Sequence, residues 1–190
     1  MGEITLVQTT TLPAAEEEIV LVRAAQQDPA HFSPIYMRYL NPVYSYLLAQ
    51  VWDAEEAKDL TAQVFLQALQ DLPKYRPIRP FSAWLFTIAR HRAADYFRRR
   101  SQSPLDEEIH LTANSTDPLV EVLQNERLAH LQLVVRGLAE DEQELLRLRF
   151  AAGLGFSEIA ALLGRKESAV KMAVYRILSR LEKQLGGDDD

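Results

Sequence analysis

Apolar residues recur at helical spacing along most of the chain, and no stretch of any length alternates as a strand requires. The clearest case is positions 81–100, FSAWLFTIARHRAADYFRRR. Phe81, Trp84, Leu85, Ile88, Ala89, Ala93 and Tyr96 fall on one stripe and predict a buried helix face. Arg90, His91, Arg92, Arg98, Arg99 and Arg100 lie off the stripe, with Asp95 the one acid among them. An aromatic helix that ends in arginines suits an anionic polymer with stackable bases. The same pattern also fits a core helix whose basic last turn complements the helix dipole, and this segment alone does not separate the two readings.

Before it, positions 1–13 read as a loose polar end. Positions 14–27 open on three glutamates, favourable at a helix N-terminus, and continue as a helix. Asp28 and Pro29 read as an N-cap followed by proline at the first helical position. Pro42 predicts a break or kink at Asn41-Pro42, with Asn41 capping a second piece up to about Val51. Asp53 then begins a capping-box-like start, and a helix follows to about Leu72. Its inward face is Ala57, Leu60, Val64, Phe65, Ala68, Leu69 and Leu72; Glu56, Asp59, Gln63, Gln67 and Gln70 lie on the other. The connection PKYRPIRP at 73–80 packs three prolines and three basic residues into eight positions, which makes a stiff loop.

Positions 101–117 show little periodicity and read as a flexible acidic linker. Helices are expected beyond it at 118–136, 140–152, 156–163 and from about 167 to 185. The fold class is therefore all-α: an N-terminal helical bundle over 14–100 and a smaller C-terminal helical domain over 118–185, joined at 101–117.

The C-terminal segment FSEIAALLGRKESAVKMAVYRIL has helix-turn-helix spacing. Ile159 and Leu163 point inward, Ala160 is small where helices cross, Gly164 supplies a positive-φ turn, and Val170 and Val174 anchor the second helix. Its outward face carries Ser168, Lys171, Met172, Tyr175 and Arg176, side chains that could enter a major groove, with Arg165, Lys166 and Arg180 near phosphates. A three-helix bundle with a glycine turn and no DNA role is the plainer reading, and the basic exposed face weighs against it.

Charge sharpens the picture. The net charge of −6 over 190 residues argues against a protein that coats nucleic acid indiscriminately. Its distribution says more: positions 87–100 hold five basic residues against one acid, and 153–185 hold six against three. Between them, 101–137 hold six acids against two arginines. With no cysteine, disulfides and thiolate metal sites are excluded, and His31, His91, His110 and His130 show no ligand spacing. No cofactor is implied. Asp53, Glu55, Glu56 and Asp59 read as an acidic first helical turn, not a metal cluster, so no catalytic residue is assigned. The chain has neither a membrane-length apolar run nor a secretory signal pattern, and a cytoplasmic protein is expected.

Both modules, in this order, resemble the extracytoplasmic-function (ECF) group of sigma-70-type sigma factors, the bacterial subunits that direct RNA polymerase to promoters. The resemblance rests on IYMRYLNPVYSYL, DAEEAKDLTAQVFLQAL and FSAWLFTIARHRAADYFRRR in the first module, and on LAEDEQELLRLRFAAGLGFSEIAALLGRKESAVKMAVYRILSRL in the second. It implies that 14–100 is sigma region 2 and 118–185 region 4. It also implies that Glu56, Asp59, Gln63, Gln67 and Gln70 face the β′ clamp of the polymerase core, and that region 4 meets the β flap. Lys74, Arg76, Arg79, Trp84, Arg90, His91, Arg98, Arg99 and Arg100 would open and read the −10 element. Arg165, Lys166, Ser168, Lys171, Met172, Tyr175, Arg176 and Arg180 would read the −35 element. An anti-sigma partner is a further family expectation. The chain departs from the family pattern at Ala62 and Gln63, where Gln-Glu is common, at His91, where asparagine is frequent, and at Met172 and Ala173, where Ser-Arg is common. The alternative is a stand-alone helix-turn-helix regulator whose first module binds an effector or dimerises.

Overall fold

The computed structural model describes residues 15–101 and 133–185. The linker expected at 101–117 and most of the helix expected from 118 lie outside the described residues. Every regular element within them is helical.

The first body holds α1 (Ala15–Gln27), α2 (Ser33–Val51), α3 (Ala54–Asp71) and α4 (Phe81–Ser101). Asp28 caps a short 3-10 turn, Pro29–Phe32, by accepting from the Ala30 N–H, and α2 follows directly. The break expected at Asn41-Pro42 is absent: α2 runs through with Pro42 inside it. Ile35, Tyr39, Val43, Tyr46, Leu47 and Val51 bury one continuous stripe across the proline, and that packing outweighs the one backbone hydrogen bond proline cannot donate. The helix stops at Trp52, whose φ of 58° is left-handed and whose N–H closes back on the Leu48 carbonyl.

At α3 the Asp53 carboxylate accepts from the Glu55 and Glu56 N–H groups at 2.9 and 3.0 Å. Ala57, Leu60, Val64, Phe65 and Ala68 are buried as the spacing requires, and Thr61 joins them by donating to the Ala57 carbonyl. Glu18 fastens α1 to the bundle, since its carboxylate accepts from the Tyr39 hydroxyl and from the Phe81 N–H.

The helix α4 is buried over a wider arc than its apolar stripe predicts. Phe86, Ser82 and Ala83 are as enclosed as Phe81, Leu85, Ala89 and Ala93, whereas Trp84, Ile88 and Tyr96 are only half-buried. The reason is that α4 packs against α2, α3 and the second body at once. Phe86 meets Tyr46 edge-to-face at 5.4 Å.

The second body holds α5 (Glu140–Leu146), which widens into a π-helical turn over Arg147–Ala151, then α6 (Phe156–Leu163) and α7 (Glu167–Leu185). Gly164 stands at φ 64° as the turn demands. Ile159, Ala160, Val170 and Val174 are buried as expected; Leu162 rather than Leu163 takes the deeper place, with Leu163 half-buried beside it. The two bodies are packed together: α6 lies against α4 and the π-turn against α2, and their buried apolar residues form one continuous cluster.

Candidate nucleic-acid interface

On α7 every residue expected to face DNA is exposed: Ser168, Lys171, Met172, Tyr175, Arg176 and Arg180, with Arg165 and Lys166 exposed in the turn before it. The opposite face, Val170, Val174, Ile177 and Leu181, is buried. The helix is thus clamped by its apolar stripe and presents its polar one. Lys171 reaches over the Tyr175 ring at 6.0 Å, and Tyr175 leans on Phe156 at 6.2 Å, which steadies two large side chains on the surface. Arg180 departs from a purely DNA-facing role. It donates to Glu142 on α5, and that hydrogen bond holds the Glu142 carboxyl below the usual carboxylate range.

The first body's candidates are less uniform. Lys74, Arg76 and Arg79 are exposed on the proline-rich connection, and the Tyr75 hydroxyl bonds the Arg79 carbonyl at 2.8 Å to shape that loop. Trp84 is half-buried and stacks with Tyr75 and Phe81 at 5.1 and 5.2 Å. Between α1 and the loop lies a cavity of about 450 Å³, lined by Glu18, Val22, Arg23, Tyr75, Ile78 and Phe81 among others. Burial of Tyr75 and the nearby Glu18 charge push its hydroxyl up to about 12.

Arg98, Arg99, Arg100 and His91 are exposed on α4. Arg98 pairs with Asp95 at 2.9 Å, and Arg100 donates to the Tyr96 hydroxyl at 2.9 Å. Arg90 is engaged by the second body: its Nε donates to Glu144 at 2.9 Å. Arg92 donates to Gln67 at 2.5 Å, and Gln67 donates to Asp71. Gln67 is therefore half-buried and already occupied, while Glu56, Asp59, Gln63 and Gln70 stand exposed along the outer face of α3.

The group missed in the sequence is Glu144 with its donors Tyr46 and Gln50. One signal was present. Glu144 sits one turn before Leu148 on the same helix face, and Leu148 is completely buried, so an acid there lies on an inward stripe.

The chain matches two family models: sigma-70 region 2 over residues 35–103, and sigma-70, region 4, over residues 129–181. It is 35% identical over 185 residues to the ECF RNA polymerase sigma factor BldN of Streptomyces coelicolor, covering 93% of this chain and 70% of that protein. The chain belongs to the ECF sigma factors. The ECF sigma factor ShbA of Streptomyces griseus is 34% identical over 160 residues, which is 80% of this chain and 82% of the relative. The fold is shared with CnrH, solved in complex with the cytosolic domain of CnrY, at a TM-score of 0.63 and 21% identity over 93% of this chain and all of that one. It is shared too with RpoE from Bartonella quintana, solved with the anti-sigma factor NepR, at a TM-score of 0.61 and 21% identity, covering 84% and 98% of the two chains. This ECF sigma factor thus carries its two family regions in the order in which the two helical bodies occur. Among its described residues no helix is long and apolar enough to cross a membrane.

Proposed function

We propose that this sigma factor gives core RNA polymerase its promoter choice by dividing the reading between its two bodies, and that it has no catalysis of its own. Residues 14–100 act as region 2, 101–117 as an acidic tether and 118–185 as region 4. The face of α7, with Lys171, Met172, Tyr175 and Arg176 outward over a buried valine stripe, is the observation that carries this reading. Such a face enters the major groove at the −35 element, where side chains meet base edges and Arg165 and Lys166 meet phosphates. In the first body, the cavity beside the proline-rich loop has the size and apolar lining to receive an unstacked −10 base, with Arg76, Arg79, Arg98, Arg99 and Arg100 holding the strand. Glu56, Asp59, Gln63 and Gln70 offer the polar face for the β′ clamp, region 4 meets the β flap, and an anti-sigma protein is the expected regulator. The working compartment is the cytoplasm, where the polymerase is.

Held on the polymerase, the two readers act together, because tethering raises the effective concentration of the second once the first is bound. The test is a gel shift on a promoter found by run-off transcription, with and without core enzyme. Specific binding and start-site opening are expected only with core. Tight, palindromic footprinting by the chain alone would favour the stand-alone regulator instead.

A further inference from the structure

The first helix is tied to both ends of the proline-rich loop. Gln26 on α1 donates through Nε2 to the Tyr75 carbonyl at 2.8 Å and to the Leu72 carbonyl at 2.9 Å. Those two carbonyls flank the place where α3 gives way to the loop. At the far end, where the loop becomes α4, the Glu18 carboxylate accepts from the Phe81 N–H at 3.3 Å. That N–H belongs to the first turn of α4 and has no acceptor within its own helix. Glu18, Val22 and Gln26 stand at i, i+4 and i+8, so they share one face of α1 and span roughly 12 Å of it. Val22 is buried between the two polar ties, and all three residues line the cavity beside the loop. The stretch between the ties is stiff. The Ile78 N–H donates to the Arg76 carbonyl at 2.8 Å across Pro77, and the Tyr75 hydroxyl spans to the Arg79 carbonyl. A loop that is rigid within and pinned at its ends moves only as those ends move.

We propose that Gln26 is a positioning residue for base choice in the −10 element: through its two hydrogen bonds, α1 fixes the pose of the loop at 73–80 and with it the shape of the cavity that takes the unstacked base. The inference rests on the reading of that cavity as the −10 base pocket. Gln26 acts through the loop, not on the base. Tyr75, Ile78 and Phe81 form the loop side of the cavity, and the Tyr75 ring meets Phe81 edge-on at 5.5 Å, so a shift at the Tyr75 carbonyl carries into that wall. Discrimination is a difference of affinities, and it survives only while the wall is held to within roughly 0.5 Å. Once the brace is cut, the loop yields to each base, and the four bases bind more evenly. The face of α7 lies on the other body and is untouched by this change. One amide nitrogen carries two N–H donors, one for each carbonyl. Methionine matches glutamine in length without a donor, and lysine returns donors to the position.

Two readouts test this in the full-length chain, with Gln26→Met and Gln26→Lys beside the wild type and a circular-dichroism melt of each to report folding. The first is loop mobility. The chain lacks cysteine and Ile78 is 85% exposed, so a nitroxide on Ile78→Cys reports the loop alone. The second is base choice by the unlabelled holoenzyme, read as competition among fragments of a promoter mapped by run-off, with the −10 segment unpaired and each of its positions changed in turn. Gln26→Met should free the label and cut discrimination at the most selective −10 position by roughly five- to tenfold, with binding of a −35 duplex unchanged. Gln26→Lys should return both readouts to within about twofold of wild type. A label no freer in Gln26→Met overturns the brace, and wild-type discrimination at every −10 position overturns its part in base choice. An equal loss of −35 binding overturns it too, because that marks general damage, and so does a lysine variant that behaves like the methionine one. Failure of the functional reading looks different: the wild type yields no run-off product with core enzyme, while the label still reports whether α1 holds the loop.

Discussion

The two basic helices of this sigma factor look alike in composition and differ in what surrounds them. Both α4 and α7 set aromatic and cationic side chains against an apolar stripe. On α7 the stripe faces its own small body, and the polar face apart from Arg180 is presented outward, with Met172 62% and Tyr175 54% exposed. On α4 the helix is pressed on several sides, so Arg90 and Arg92 meet protein acceptors, Glu144 and Gln67, before they can meet DNA. A basic residue in a sequence is therefore only a candidate contact. Whether it reaches a phosphate depends on which acceptors the fold brings within about 3 Å of it.

The comparison breaks most sharply if the extra burial of α4 is removed. Phe86→Ala deletes a fully enclosed ring from the α2–α4 seam and should cost about 3–5 kcal/mol in urea unfolding. A loss below about 1 kcal/mol would mean that face is not packed as described.

On the other helix, truncation should leave stability alone and strike binding. Arg176→Ala should weaken holoenzyme binding to a −35-containing duplex by about 1–3 kcal/mol with little change in melting temperature. An unaltered duplex affinity would remove Arg176 from the reading face.

Alkaline titration probes the core of the first body by a different route. Burial first, then the charge of Glu18 on Tyr39 and of Glu144 on Tyr46, hold both hydroxyls well above the ordinary tyrosine range. A raised folded-state value means the unfolded chain gives up the proton first. The tyrosines' contribution is thus intact below about pH 10 and is lost as pH rises beyond it, at about 1.4 kcal/mol per pH unit for each. Denaturation followed from pH 9 to 11 should show the fall, and Tyr39→Phe should make it shallower; an identical slope in the variant would deny that Tyr39 titrates in this way.

The smallest effect concerns the arginine block. Replacing Arg98, Arg99 and Arg100 by alanine should flatten the salt dependence of single-strand binding on the polymerase by roughly 2 in log–log slope. A slope that stays put would take all three off the contact list.

Much of this was legible along the chain. The 3.6-residue spacing located the helices, Asp28 and Asp53 marked their starts, and Gly164 marked the turn of the second module, because each is a local matter of backbone geometry and nearest hydrogen-bond partners. The outward set on α7 was legible for the same reason, since a helix with one apolar stripe that packs against the small body on that side alone has only one way to face. The break expected at Pro42 does not form: the missing hydrogen bond is local and visible, whereas the buried stripe from Ile35 to Val51 that carries the helix through counts only when α3 and α4 are in place. Phe86 was missed because a helix with several neighbours buries more than one stripe.

The sequence by itself determined the all-helical class, the two modules with their family membership, and which side chains stand outward on α7. Tertiary structure alone decided that the modules dock, that Gln67 is spent on Arg92, and that Glu144 reaches Arg90 across 54 positions of chain. Periodicity reports which face of a helix turns inward, but a polar contact between distant segments depends on three-dimensional placement that no local spacing encodes.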